Sequence, residues 1–518
     1  MKRVIWLMCG VLMIIMLPTS TLGNSTVSPA HAQEGTVPYI EWLEKCKFKM
    51  IFLPPDTEVL GETITCGILH TYEKPNEPSS APIQVVFAIL HANTTTPRND
   101  PILYLAGGPG SSALFSIDVW VDTPLRMERD IILVDQRGVG YSTPSLSCDA
   151  YMRSYYSRDI SNITRCVNEL HARGVDLGNY NTVNNAHDIG ELMTLLQAEQ
   201  GYESYNLLGI SYGTRLGLVV MRDHPQLVRS AILDSVYPLV VDHYSELGPN
   251  LQRAIEAVFV ACERDEACNR AYPNLEQVFY EVLEQLNIHG GSVSFLNAVF
   301  SALYNKNYFQ ALPAAIYLIH EGNRHEGENY LYFGSPNSDF EGYDSYYDSY
   351  DSDLFDEYIA AYRKFNHANA FFMALQCQEE FYFSSYDIAV ETAAARNTDR
   401  TIADSQLYDV ERMAEECPHW FSTAAPESSN ERIYSDIPTL VVSGEFDPIT
   451  PPQWAKIARE TLSNSYYFSF PGLGHGVIDG HPCVSKIFSD FLDDPYTQPD
   501  ASCRAEMRTD WYIHPNYR

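Results

Sequence analysis

The segment Gly209-Ile210-Ser211-Tyr212-Gly213 holds a serine in G-x-S-x-G spacing, directly after the apolar run Tyr205 to Ile210 and at the head of a helical pattern. That context is what turns a serine into an exposed nucleophile. The glycines leave room for a sharp strand-to-helix turn, and the helix N-terminus aims its N–H dipoles at developing negative charge. A hydroxyl remains a poor nucleophile until a base takes its proton, and the base in turn needs an orienting carboxylate. Gly472-Leu473-Gly474-His475-Gly476 offers an imidazole in a glycine-rich loop, and Gly444-Glu445-Phe446-Asp447-Pro448 offers a carboxylate just past the strand-like run TLVVS. The chain order Ser, Asp, His predicts acyl transfer: Ser211 attacks, His475 acts as general base and then acid, and Asp447 holds the imidazole tautomer. Glu445 and Asp234 are rival acids, and His481 is a rival base.

The tetrahedral intermediate of such chemistry requires an oxyanion hole built from backbone N–H groups. The N–H of Tyr212, following the nucleophile, is one expected donor. The other is expected from Leu105-Ala106-Gly107-Gly108-Pro109-Gly110, where glycines let the backbone approach a substrate. Gly108 is the first choice in that loop and Gly107 the second.

The elements that must position these residues read as strands alternating with helices. Apolar β-branched runs at Ile83 to Leu90, Ile102 to Leu105, Ile131 to Val134, Tyr205 to Ile210 and Ser230 to Leu233 predict strands. Between the third and fourth, Asn184 to Gln197 repeats apolar residues at helical spacing. This alternation predicts an α/β fold with a mostly parallel sheet flanked by helices. It stops near Pro238 and resumes at Thr439 to Ser443, so the intervening chain is too long for a loop and predicts an inserted second unit. Helical periodicity over Leu251 to Leu286, Phe309 to His320 and Leu354 to Phe381 makes that unit a large, mainly helical cap. Residues 328–353, rich in Tyr, Asp and Ser, lack the order of a calcium loop and read as a solvated, mobile segment. The expected boundaries are a leader at 1–32, one part of the core at 33–238, the cap at 239–430 and the rest of the core at 431–518.

Lys2-Arg3, the apolar run Val4 to Leu17 and the small-residue site Ala30-His31-Ala32 follow the order of a signal peptide. The run is shorter than the ~20 residues a membrane helix needs, so the expectation is export by a cleaved leader, with no stable membrane insertion afterwards. Cysteines 46, 66, 148, 166, 262, 268, 377, 417, 483 and 503 would remain, an even set that favours disulfides. The sequence does not fix the pairing, and neighbours such as Cys148/Cys166, Cys377/Cys417 and Cys483/Cys503 are the cheapest guess in loop-closure terms. No C-x-x-C pair or H-E-x-x-H helix suggests a metal, and no metal or cofactor is expected. A formal charge of −33 without a visible basic patch argues against nucleic acid as a partner.

Taken together, Gly107 to Gly110, the stretch Asp135 to Ser142 (DQRGVGYS), Gly209 to Thr214, Gly444 to Asp447 and Gly472 to His475 resemble the proline iminopeptidase and tripeptidyl aminopeptidase family of α/β-hydrolases. The exported, cysteine-bearing chain with its long insertion is more similar to the secreted tripeptidyl aminopeptidase-like members. Ala106 stands where many relatives have histidine, a departure that leaves the backbone role of the loop intact. The resemblance implies an α/β-hydrolase fold and an aminopeptidase acting on peptides with a free N-terminus. It also implies that a cap carboxylate meets the substrate's α-amino group, with Glu379 the first choice and Glu380 the second. A carboxylate fixed at that distance from the scissile bond makes a hydrolase an exopeptidase. The alternatives are an esterase or amidase using the same three residues, and a binding protein that keeps the fold without the reaction.

Overall fold

The computed structural model describes residues 37–48, 57–151, 159–305, 308–334, 368–421, 424–478 and 480–518. The leader at 1–32 and residues 335–353 of the Tyr/Asp/Ser-rich stretch lie outside the described residues. Among those described, nine strands form one sheet in the order β1-β2-β3-β5-β4-β6-β7-β8-β9. These are β1 (Tyr39–Trp42), β2 (Ile64–Tyr72), β3 (Pro82–Leu90), β4 (Ile102–Leu105), β5 (Ile131–Val134), β6 (Tyr205–Ile210), β7 (Val228–Asp234), β8 (Thr439–Gly444) and β9 (Ser465–Phe470). The first three strands and the β3–β5 pair are antiparallel, and every pair from β5 through β9 is parallel.

The central strands are buried on both faces, which is why they are continuous apolar runs and not alternating ones. Successive residues still point to opposite faces. Val85, Phe87 and Ile89 of β3 enter one core, and Val86, Ala88 and Leu90 enter the other. Helices α1 (Ile160–Ala172), α2 (Thr182–Gln200) and α3 (Tyr212–Asp223) supply side chains to the first core. The late helix Pro482–Asp493 supplies the second.

Between β7 and β8 the helical insertion is present as expected. Its described helices include α4 (His243–Arg264), α5 (Leu275–Ile288), α6 (Ser292–Tyr304), α7 (Leu312–His320), α8 (Arg324–Phe333), α9 (Asn369–Leu375), α10 (Tyr386–Ala395) and α11 (Arg400–Trp420). A third hydrophobic core forms inside it, from residues such as Leu251, Phe279, Phe295 and Ile316. Phe446 of the β8 loop belongs to this core too, so the insertion grips the main body at the candidate acid.

Disulfides join Cys148 to Cys166, Cys377 to Cys417 and Cys483 to Cys503, the three neighbouring pairs given as examples, and Cys46–Cys66 and Cys262–Cys268 complete the set. Among the described residues no helix is long and apolar enough to cross a membrane.

Candidate active site

Ser211 is the residue between β6 and α3, and its backbone sits at φ 57° and ψ −126°. A non-glycine residue held at positive φ is strained and persists only where its surroundings enforce it. Here they do. The Ser211 N–H donates to the Asp234 carbonyl at 3.0 Å, and its own carbonyl accepts the Thr214 hydroxyl at 2.6 Å and the Thr214 N–H at 2.9 Å. The two glycines of the elbow answer to close packing. A Cβ at Gly213 would lie 1.9 Å from the Leu105 carbonyl oxygen, and one at Gly209 would lie 2.5 Å from the Gly213 carbonyl oxygen. Gly213→Ala is therefore expected to cost more than about 3 kcal/mol of stability, because backbone and not a yielding side chain blocks the methyl group. Chemical denaturation reads this directly; a variant within 1 kcal/mol of the parent, about the error of such comparisons, would show that the β4 end gives way.

His475 and Asp447 meet. The histidine Nδ1 lies 2.9 Å from Asp447 Oδ2, and both groups are buried. Burial pushes the Asp447 carboxyl up, but His475 and the N–H groups of Thr450 and Ile449 outweigh it and hold the carboxyl below its ordinary value. Those two N–H groups donate to Oδ1 at 2.9 and 3.0 Å. The opposite ring nitrogen, Nε2, is buried without a hydrogen-bond partner among the described residues. The loop carrying His475 is fastened to the elbow. Gly476 N–H donates to Ser235 Oγ at 2.9 Å, and Val477 and Ile478 N–H donate to the Asp234 carboxylate at 2.8 to 2.9 Å. Asp234 thus joins the serine turn to the histidine loop.

The rivals have other employment. The Glu445 carboxylate accepts the Gly472 N–H at 3.2 Å, and His481 caps a helix by accepting the Cys483 N–H at 3.0 Å through Nδ1. One group was not anticipated. Thr450 Oγ1 donates to Asp447 Oδ2 at 2.7 Å and lies 3.0 Å from His475 Nδ1, inside the same hydrogen-bonded set. The signal for it was the pattern D-x-x-T, in which an aspartate caps its own turn at the second and third residues onward.

The oxyanion candidates lie together on the backbone. A Cβ on Gly107 would sit 3.1 Å from Ser211 Cβ, so that peptide runs directly against the serine, with Gly108 following at φ 109°. Tyr212 is the first residue of α3, and no carbonyl one turn back serves its N–H. The DQRG stretch braces this loop. Asp135 accepts the Ser112 hydroxyl at 2.7 Å and the Leu114 and Tyr141 N–H groups, and burial pushes its carboxyl up to about 6. Gln136 Nε2 donates to the Ala106 carbonyl at 3.0 Å. Arg137 grips Asp188 with two hydrogen bonds of 2.7 and 2.6 Å. With His187 and Glu191 the same Asp188 forms the cluster best spaced for a metal ion among the described residues. Both Asp188 oxygens already face the guanidinium, which repels a cation.

The two cap glutamates lie on a π-helical turn, Gln376–Glu380, that follows α9 and is tied to α11 through Cys377–Cys417. The two carboxylates make different contacts. Both Glu379 oxygens are taken, one by the Thr182 N–H and the other by the Thr182 hydroxyl, each at 2.6 Å, so this fully buried carboxylate caps the start of α2. Glu380 lies 3.0 Å from Arg215 Nη2, while Arg215 Nε lies 3.5 Å from Glu379. Burial raises the Glu380 carboxyl, and Arg215 offsets this only in part. Among the described residues no second cation lies within ion-pair distance of either glutamate, so two buried carboxylates share one guanidinium. Arg215 is one helical turn beyond Ser211, about 6 Å along the axis of α3.

Comparison with known proteins agrees with this architecture. The alpha/beta hydrolase fold model matches residues 100–260, and the TAP-like protein model matches residues 403–503. Serine protease Hip1 of Mycobacterium tuberculosis is 22% identical over 497 residues, covering 86% of this chain and 88% of its own. The tripeptidyl aminopeptidase of Streptomyces coelicolor is 28% identical over 200 residues, 34% of this chain and 36% of that one. Carboxylesterase B of M. tuberculosis is 25% identical over 193 residues, 33% of this chain and 36% of that one. The chain is a serine hydrolase of the α/β-hydrolase family with a TAP-like C-terminal region.

Proposed function

We propose that this protein is an exported aminopeptidase that cuts peptides near a free N-terminus through an acyl-enzyme on Ser211. The observation that carries the reading is the Asp447–His475 pair, whose outer nitrogen is buried and unpaired in a chain whose elbow serine is held at positive φ. In the proposed reaction His475 Nε2 takes the Ser211 proton as Oγ attacks the carbonyl carbon. The oxyanion is met by the N–H of Tyr212 and that of Gly108 or Gly107. The imidazolium then gives its proton to the leaving amine, and His475 next activates the water that releases the acyl group. The reading invokes no metal or cofactor.

The choice of an aminopeptidase over an esterase rests on charge. Two buried carboxylates facing one guanidinium leave an excess negative charge, which Glu380 relieves by taking a proton or by meeting a cation. A substrate ammonium is such a cation, and Glu380 is the residue proposed to receive it. Serine protease and tripeptidyl aminopeptidase relatives favour peptide substrates. Export is supported by the leader-like N-terminus and by five disulfides.

Mass analysis of products from a defined peptide, free or N-acetylated, tests the reading. Cleavage close to the free N-terminus, with kcat/KM at least about 100-fold lower for the acetylated peptide, is expected from loss of a buried ion pair. Equal cleavage of both forms would sink the exopeptidase assignment. Turnover of aryl esters with no peptide cleavage would establish the esterase alternative.

A further inference from the structure

Asp447 and His475 are not held by the sheet alone. Arg253, halfway along α4 of the insertion, donates through Nη1 to the Glu445 carbonyl at 2.8 Å and through Nη2 to the Asp447 carbonyl. One guanidinium thus grips the backbone on both sides of Phe446. Phe446 is itself fully buried in the insertion's core, 5.1 Å from the Phe309 ring. A rigid fork of donors suits this task, because it fixes two carbonyls in one plane where an ammonium would hold a single point.

The base is gripped from the same side. At the C-terminal end of α6 the Tyr304 carbonyl accepts the His475 N–H at 3.3 Å, and the Tyr304 ring stacks on the imidazole with centroids 4.5 Å apart and planes 30° from parallel. The approach is close enough that a Cβ on Gly474 would lie 2.3 Å from the Leu303 carbonyl oxygen. A stacked ring opposes rotation of the imidazole about its own axis. Its face is also the negative end of the aromatic quadrupole, toward which the charge of an imidazolium is drawn.

We propose that the helical insertion is a positioning element for the acid–base pair, with Arg253 fixing the backbone of Asp447 and Tyr304 fixing the plane of His475. This rests on the assignment of Asp447 and His475 proposed above. A displacement of about 1 Å in such a pair costs on the order of 100-fold in rate, so contacts this far from the sheet matter to turnover. The insertion then has two separate tasks, substrate selection through Glu380 and alignment of the chemistry through Arg253 and Tyr304.

The test uses the full chain and two readouts: steady-state kinetics on the cleaved peptide, and the rate of inactivation by a fluorophosphonate, which needs no knowledge of the substrate. Arg253→Met is expected to lower both kcat and the inactivation rate about 10- to 100-fold with KM within about threefold, since alignment acts on the transition state. Arg253→Lys, which keeps one donor, is expected to fall between. Tyr304→Leu is expected to lose about three- to tenfold and to shift the acid limb of the pH–rate profile, while Tyr304→Phe stays within about twofold, because the ring face and not the hydroxyl is used. Thermal unfolding of each variant gives the folded fraction. A loss that vanishes when normalised to that fraction, or a change in KM alone, would overturn the positioning role. Full fluorophosphonate labelling of Ser211→Ala would instead overturn the nucleophile assignment, whatever the Arg253 variants do.

Discussion

Ser211→Ala is expected to lower kcat by about 10⁶-fold, as loss of the nucleophile does in enzymes whose three residues act as a unit. The substitution removes one oxygen and keeps the Cβ that packs 3.1 Å from where a Gly107 Cβ would sit, so the elbow and its strained φ of 57° are retained. The backbone bonds to Asp234 and Thr214 do not involve the hydroxyl. Stability should therefore change little, and the variant should bind substrate without turning it over. Product formation followed by mass spectrometry, beside a thermal unfolding curve, measures both halves. Residual turnover some 10³-fold above water is expected from the oxyanion donors and bound geometry alone. Turnover above about 1% of the parent would mean that a different group attacks.

Much of this site was legible in the sequence because each part has a local cause. Ser211 must have glycines beside it and a strand before it, and the apolar run Tyr205 to Ile210 is that strand with the same limits in the structure. Strands β4 and β5 were equally plain, being short, wholly apolar and buried. By contrast β2 (ITCGILHTY) mixes glycine, cysteine and histidine into its run, and β9 (SYYFSF) leaves four of its six residues half-exposed. Neither shows the uniformly apolar run of β4 and β5, although β2 is largely buried between β1 and β3 and only β9 is an edge strand. The disulfides between near neighbours followed from loop closure, and that argument has no purchase on tertiary contacts.

The parts that stayed hidden depend on distant segments meeting. Nothing local distinguishes Glu379 from Glu380; the π-helical turn and the start of α2 decide which carboxylate is consumed as a cap. Arg253 reads as one more polar residue on an amphipathic helix, and Tyr304 as the last aromatic of another. Their meaning comes from the loops after β8 and β9 much further along the chain, a separation of 192 between Arg253 and Glu445. The same holds for Asp234, a plausible acid by position at a strand end, whose carboxylate instead binds the N–H groups of Val477 and Ile478. Strand ends collect polar groups in this fold, and the loop that each one meets decides whether it reacts or supports.

Asp447→Asn is expected to lower kcat by about 10⁴-fold with the fold intact, and the reason lies in how the four hydrogen bonds around Asp447 are divided. Oδ1 accepts the Ile449 and Thr450 N–H groups, while Oδ2 faces the Thr450 hydroxyl and His475 Nδ1. An asparagine has a single acceptor oxygen, and the two backbone donors compel it to occupy the Oδ1 position. The amide nitrogen must then take the place of Oδ2 and point an N–H at His475. Nδ1 becomes an acceptor and the ring proton moves to Nε2, so the nitrogen facing the nucleophile side carries a proton where the base needs a lone pair. The Thr450 hydroxyl can turn to donate elsewhere, which spares packing but does not restore the tautomer. Because the Asp447 carboxyl is held below its ordinary value, the wild type gains stability above that value and loses it as the pH falls through the lowered one. The stability gap between the two proteins should accordingly be larger at pH 7 than near pH 3. Steady-state kinetics and pH-dependent unfolding measure the two effects separately. A variant within tenfold of wild-type kcat would transfer the acid's role to Glu445, two residues away at the end of the same strand.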